Sequence, residues 1–143
     1  MTLSLSQAQK IVADVLTYSR AKNFNPMGVV VLDARGAVRA AATEDGASLI
    51  RWKVAMGKAY GAVAMGVGSR KIGAIAVERP HFFAGVAPLF DGGIVPVPGG
   101  VLIRDSNGEI IGAVGSSGDT SDNDEAAVVA AIIAAGFKAD AGA

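Results

Sequence analysis

The hydrophobic pattern of this chain predicts an α+β fold: a central antiparallel β-sheet with helices packed on one face. Three observations carry that reading. Apolar residues recur at helical spacing through residues 4–22, 48–66 and 121–136. Short runs rich in valine and isoleucine lie between those stretches and read as strands. Two pairs of such runs are joined by "DARG" and "DSNG", connections that suit tight antiparallel hairpins, whereas parallel strands need a long crossover. The order reads α-ββ-αα-βββ-α. No linker, repeat or low-complexity tract divides the 143 residues, so residues 1–143 form one domain.

Each element has a local reason. In the first helix Ser4 is placed as the cap, with Gln7 reaching back, and Ala8, Ile11, Val12, Val15 and Leu16 form the apolar stripe. Asn23, Asn25 and Pro26 stop it. "MGVVVLDARGAVRAAATEDG" is the first hairpin, with Asp33 and Gly36 supplying the turn. The helix at 48–66 carries Ile50, Val54, Met56, Ala59, Tyr60 and Val63 on its stripe. Its Gly57 and Gly61 each cost about 1 kcal/mol of helix propensity relative to alanine. Their four-residue spacing predicts a face onto which another backbone packs closely. A shorter helix is expected at 69–78, capped by Ser69 and ended by Arg79–Pro80. Residues 81–93 read as a loop or helical turn closed by "DGG". "IVPVPGG", "GVLIRD" and "EIIGAVGSS" read as strands, and the last helix runs over 121–136 with Ser121 and Asp124 as a capping-box variant.

Composition narrows the function. Thirteen basic and 13 acidic residues cancel, and no stripe of Lys and Arg is present. Nucleic acid is therefore not an expected partner, since phosphate binding needs clustered cations. The absence of cysteine excludes disulfides, thiolate metal sites, a cysteine nucleophile and thioether-linked haem. The longest apolar run, "AAVVAAIIAAGF", is too short to span a bilayer. No membrane partner is expected, no signal peptide is visible at the start, and a cytoplasmic location follows as the default. Hydrophobic residues make up 51% and mean hydropathy is +0.42. Such an excess predicts either a small polar surface or a face buried against copies of the same chain.

Four stretches, "VVVLDARGAVRAAATEDGA", "KVAMGKAYGAVAMG", "PVPGGVLI" and "GEIIGAVGSSGDTSDNDEAAVVAAI", occur together. In this combination the chain resembles the GlcG/HbpS-like proteins, labelled haem-degrading or haem-binding, which also occur as the C-terminal domain of PduO-type proteins. The resemblance covers nearly the whole chain. It implies an α+β fold assembled into homo-oligomers, from dimers to octamers. It also implies haem, a corrinoid-like group or a small organic molecule as ligand, often in the company of catabolic enzymes.

Several residues have chemistry suited to such a ligand. His81, the sole histidine, is a candidate iron ligand or general base; the alternative is a polar residue at a helix end. Phe82, Phe83 and Phe90 offer apolar walls. Arg79, just before Pro80, can grip a carboxylate with two N–H groups, or else pair with Glu78 or Asp91 on the surface. Lys58 matches a family position; beside Gly57 it is a candidate for proton transfer with a lowered pKa, or a snorkelling or intersubunit lysine. Gly99 and Gly100 of "PGG" leave backbone N–H groups free for an anion. The acids of "GDTSDNDE" read as caps and dipole partners of the last helix. That string lacks the pattern of a calcium loop, and neither a phosphate loop nor a nucleophile elbow is present.

The expected function is therefore ligand binding, with haem or a related small organic molecule in a pocket between the 79–100 loop and the helix carrying Lys58. In that pocket Arg79, His81 and Lys58 are the candidate chemical groups, and His81, Arg79, Phe82, Phe83, Gly99 and Gly100 the candidate cofactor contacts. Two alternatives stay open. One is an enzyme moving a proton on a small carboxylated metabolite, as an isomerase, hydrolase or deaminase. The other is a non-catalytic partner of catabolic enzymes.

Overall fold

The structure is a computed structural model that describes residues 2–143. Its elements are α1 (Leu5–Ala21), β1 (Gly28–Asp33), β2 (Val38–Thr43), α2 (Arg51–Met65), α3 (Ser69–Glu78), α4 (Pro80–Val86), β3 (Gly100–Arg104), β4 (Ile110–Ser117), α5 (Ser121–Ala134) and β5 (Lys138–Asp140), with a single 3-10 turn at Ala87–Leu89. The five strands form one antiparallel sheet in the order β2-β1-β4-β3-β5. The α+β class and both hairpins are as the sequence predicts. Asp33 Oδ1 accepts from the N–H groups of Arg35 and Ala37, and Asp105 Oδ1 does the same for Asn107 and Glu109. Side-chain acceptors of this kind stabilise tight turns.

Helices cover both faces of the sheet, not one. Val29, Val31, Val101, Ile103 and Val114 turn toward α1 and α5, while Val30, Leu32, Leu102 and Ala113 turn toward α2. Alternate residues of a strand point to opposite faces, so a strand buried on both sides must be apolar at every position. The unbroken "GVVVL" of β1 is that signature.

Among those side chains on the α2 face stand the glycines Gly28, Gly100 and Gly115, and there the helix comes close. A Cβ at Gly115 would lie 2.0 Å from the Ala55 carbonyl oxygen, one at Gly28 2.8 Å from Arg51 C, and one at Gly100 2.3 Å from the Lys58 carbonyl oxygen. Gly115 pairs with Gly100 on one side and with Val30 of β1 on the other, two residues along the strand from Gly28. The bare patch seats α2 directly on backbone.

Three local expectations are corrected. "IVPVPGG" is not a strand but an unpaired strap laid over α2 and α3. The Val95 N–H donates to the Gly57 carbonyl at 3.3 Å. The strap crosses the close-packing face expected at Gly57 and Gly61, where added Cβ atoms would meet Val95 Cγ2 at 2.7 Å and Ile94 Cγ1 at 3.0 Å. Its prolines cannot complete a ladder of N–H donors. Second, Ser69 does not cap α3, because Gly68 holds that position; the buried Ser69 hydroxyl instead accepts from the Gly100 N–H at 2.7 Å. Third, Thr120 rather than Ser121 caps α5, with Oγ1 accepting from the Asn123 N–H at 3.2 Å. The chain end adds β5 to the edge of the sheet, where Asp140 meets Arg104 at 2.8 Å.

Candidate functional site

The residues singled out in the sequence separate into a buried centre and an exposed corner. Lys58, Gly99 and Gly100 come together in the first. Lys58 projects from α2 with only 1% of its surface exposed, so it neither snorkels nor sits at the surface. Its ammonium donates to the Ser116 carbonyl at 2.9 Å and to Asp124 Oδ2 at 3.1 Å. The Asp124 carboxylate is buried too, and its Oδ1 accepts from the Asp119 N–H at 2.9 Å. The Ser116 hydroxyl donates to the Asp124 carbonyl at 3.0 Å.

Gly99 closes over this pair. Its φ of +123° suits glycine, and a Cβ there would lie 2.7 Å from Lys58 Nζ and 2.9 Å from the Ser116 carbonyl oxygen. Of the "PGG" N–H groups, that of Gly100 is taken, donating to Ser69 Oγ, and the Gly99 carbonyl accepts from the Ser116 N–H. Burial pushes the Lys58 pKa down, with Arg51 adding to that and Asp124 opposing it; burial likewise pushes Asp124 up against the pull of Lys58. Desolvation thus outweighs the mutual attraction of the pair, as buried ion pairs commonly show.

Asp124 is the residue that local reading missed. In sequence it looks like a first-turn acid of α5. Its lysine partner lies 66 residues away, and only the stacking of α2 against the end of β4 brings them together. The other acids of the segment are also tied. Arg70 of α3 holds Asp122 and Glu125, and Asp119 accepts from Asn25 N–H and Asn123 Nδ2. Those bonds, led by the one from Asn25, hold the Asp119 carboxyl below its ordinary range.

Arg79, His81, Phe82 and Phe83 lie at the corner where α3 ends and α4 begins. Arg79 is the junction, with φ −131° and ψ 67°, the non-helical backbone that a following proline favours. It makes no ion pair with Glu78 or Asp91 among the described residues. Its guanidinium lies 4.4 Å from the centre of the Phe82 ring instead. His81 is exposed, and its ring makes no hydrogen bond to the described residues. In the same stretch of chain several apolar side chains are exposed: Val77 by 86%, Leu89 by 76% and Phe82 by 38%. Phe83 is half-buried, and Phe90 turns inward to meet the Tyr60 ring edge-on at 6.4 Å.

Among the described residues no three His, Cys, Asp or Glu side chains converge on a metal position. A lone imidazole suits a metal that arrives with its other donors, as iron does in a porphyrin. An exposed ring with both nitrogens unengaged, a guanidinium free of carboxylates and a phenylalanine face are the donor set such a group needs. The corner residues therefore fit haem in chemistry.

The comparisons agree with this architecture. A family profile described as "Haem degrading protein HbpS-like" matches residues 3–133. Among solved structures, the PduOC:haem complex superposes with a TM-score of 0.85 at 23% identity, covering 96% of this chain and 97% of that one. HbpS gives a TM-score of 0.80 at 21% identity, covering 94% and 89%. Protein ORFY of Klebsiella pneumoniae gives 0.83 at 24% identity, covering 95% and 92%. At these identities the likeness speaks to the fold. Among curated proteins no sequence matches. The profile spans nearly the whole chain, and the fold is shared with the solved relatives over most of its length: the chain belongs to the HbpS-like family.

Proposed function

We propose that this protein binds haem or a closely related planar ligand at the α3–α4 corner. The observation that carries the reading is the grouping there of an unengaged imidazole, a guanidinium without a carboxylate partner and an exposed apolar surface, within residues 77–89. His81 would hold the iron through an imidazole nitrogen, Arg79 would pair with a carboxylate of the ligand, and Phe82 and Phe83 would supply apolar contacts to it. Bound haem would supply an iron centre; the chain supplies a donor, a charge partner and an apolar bed. The family's haem-degrading character and the haem complex of one relative support the same ligand class.

In this reading Lys58 is not the proton carrier. Both it and Asp124 are sealed beneath Gly99, so their contribution is to fix α2, β4 and α5 around the sheet. Leu49, Ile50 and Trp52 expose 86%, 57% and 43% of their surfaces at the start of α2, which supports self-association through that end.

Titration with haemin tests the ligand assignment. Wild type should shift the Soret band with saturation near one equivalent per chain. His81→Ala should remove the spectral signature of nitrogen ligation, and Arg79→Ala should weaken binding by about tenfold, the loss of one charge-assisted contact. No Soret shift for wild type, or an unchanged spectrum for His81→Ala, would refute the site.

A further inference from the structure

A cavity lies away from the α3–α4 corner. It has a volume of about 440 Å³ and is lined by Thr2, Leu3, Asp33, Ala34, Arg35, Arg39, Ile110 and Ile111. It therefore opens where the β1–β2 turn, the approach to α1 and the start of β4 meet. In the sheet register Asp33 stands opposite Gly112, whereas Gly28 stands opposite Ser117. The cavity is thus at the opposite end of the sheet from the Lys58–Asp124 pair. It also lies toward the β2 edge, while α3 packs its Gly68 against Ala141, beyond β5 at the other edge.

The lining has two characters. Leu3, Ile110 and Ile111 give an apolar floor, and Leu3 and Ile111 belong to the core beneath it. Arg35 and Arg39 face the same space, and neither makes an ion pair among the described residues. Arg39 Nη1 donates to the Leu3 carbonyl at 3.1 Å, which holds the chain before α1 against β2 and leaves the rest of the fork unengaged. Asp33 is the one acid of the lining, and its Oδ1 is occupied by the turn N–H groups. Two guanidinium groups against one carboxylate leave the cavity net positive.

We propose that this cavity is a binding site for a small organic carboxylate with an apolar body. Its volume falls within the roughly 300–1,000 Å³ of small-molecule sites, which pair a mostly apolar lining with a few placed polar groups. Planar guanidinium forks match carboxylate oxygens two at a time, and the isoleucine and leucine floor takes the hydrocarbon part. The site is independent of the haem assignment.

The test is a ¹⁹F NMR titration of the full chain with 4-fluorobenzoate, alongside 4-fluorobenzamide and inorganic phosphate. The acid should bind saturably, with the amide and phosphate each weaker by about tenfold or more, since the one lacks the charge and the other the apolar body. Arg35→Gln should weaken the acid by about tenfold; its side chain holds no described hydrogen bond, so the fold is spared. Arg39→Lys, which keeps charge but loses the fork, should weaken it too, and His81→Ala should not. Absence of saturable binding, equal binding of acid and amide, or unchanged affinity in Arg35→Gln would overturn the proposal. So would displacement of the fluorobenzoate by one equivalent of haemin, which would place both ligands in one site.

Discussion

At the scale of single residues, the Lys58–Asp124 pair shows what burial does to charge. Both partners are pushed toward their neutral forms by desolvation, yet each is the other's principal compensation. Lys58→Met alone strands a buried carboxylate, and Asp124→Leu alone strands a buried ammonium. Either should destabilise by about 3–5 kcal/mol, whereas the double variant should lose much less than the sum, read from urea unfolding as a double-mutant cycle. Strict additivity would mean that the two do not act as a pair. Gly99→Ala should also be costly, because the new Cβ meets Lys58 Nζ in a backbone conformation of φ +123°. Asp119 gives a pH effect whose sign is fixed by geometry. Its folded pKa lies below the unfolded value. Its contribution is therefore complete above about pH 4 and is lost as pH falls through the folded value. Thermal unfolding of Asp119→Ala from neutral pH downward should show a shallower acid loss than wild type; parallel curves would contradict it. The sequence offered desolvation beside Gly57 as one reading of Lys58, against a snorkelling or intersubunit lysine, and did not point to its partner. Residue type carries a burial cue, while pairing across 66 residues is set by topology.

At the scale of elements, helices and hairpins were legible because their signals are local. The Ser4–Gln7 capping box and the Asp33 and Asp105 turns form as the sequence predicts. The strap at 94–99 was not, since its valines and isoleucine read as a strand and its partners are helix glycines. Gly57→Val tests the strap directly: the new side chain must displace Val95, whose Cγ2 lies 2.7 Å from the added Cβ. Limited proteolysis should then cut residues 91–97 faster than in wild type while the sheet stays protected; unchanged cleavage would show that the glycine face does not hold the strap. Arg70 ties α3 to α5 through Glu125 and Asp122, but it is half-exposed and screened, so Arg70→Ala should cost no more than about 1 kcal/mol.

At the scale of the whole molecule, the two-sided sheet explains the apolar composition without recourse to a membrane. No helix among the described residues is long and apolar enough to cross one. The fold class was readable from periodicity, but the number of covered faces was hidden. A strand buried on both sides and one buried in an all-apolar hairpin carry the same letters. Of the candidate site, the corner residues were legible by type and proximity in sequence. The separation of Arg79 and His81 from Lys58 and Gly99 was not, because α3 and the strap carry them to different surroundings. The account stands on haem binding at that corner. Ferric haem broadens nearby amide signals, so the most direct measurement is an ¹H–¹⁵N NMR map at substoichiometric haemin. Broadening centred on residues 77–89, with residues 33–39 and the Lys58–Asp124 centre left sharp, is the result expected. Broadening centred elsewhere, or none, would contradict the account.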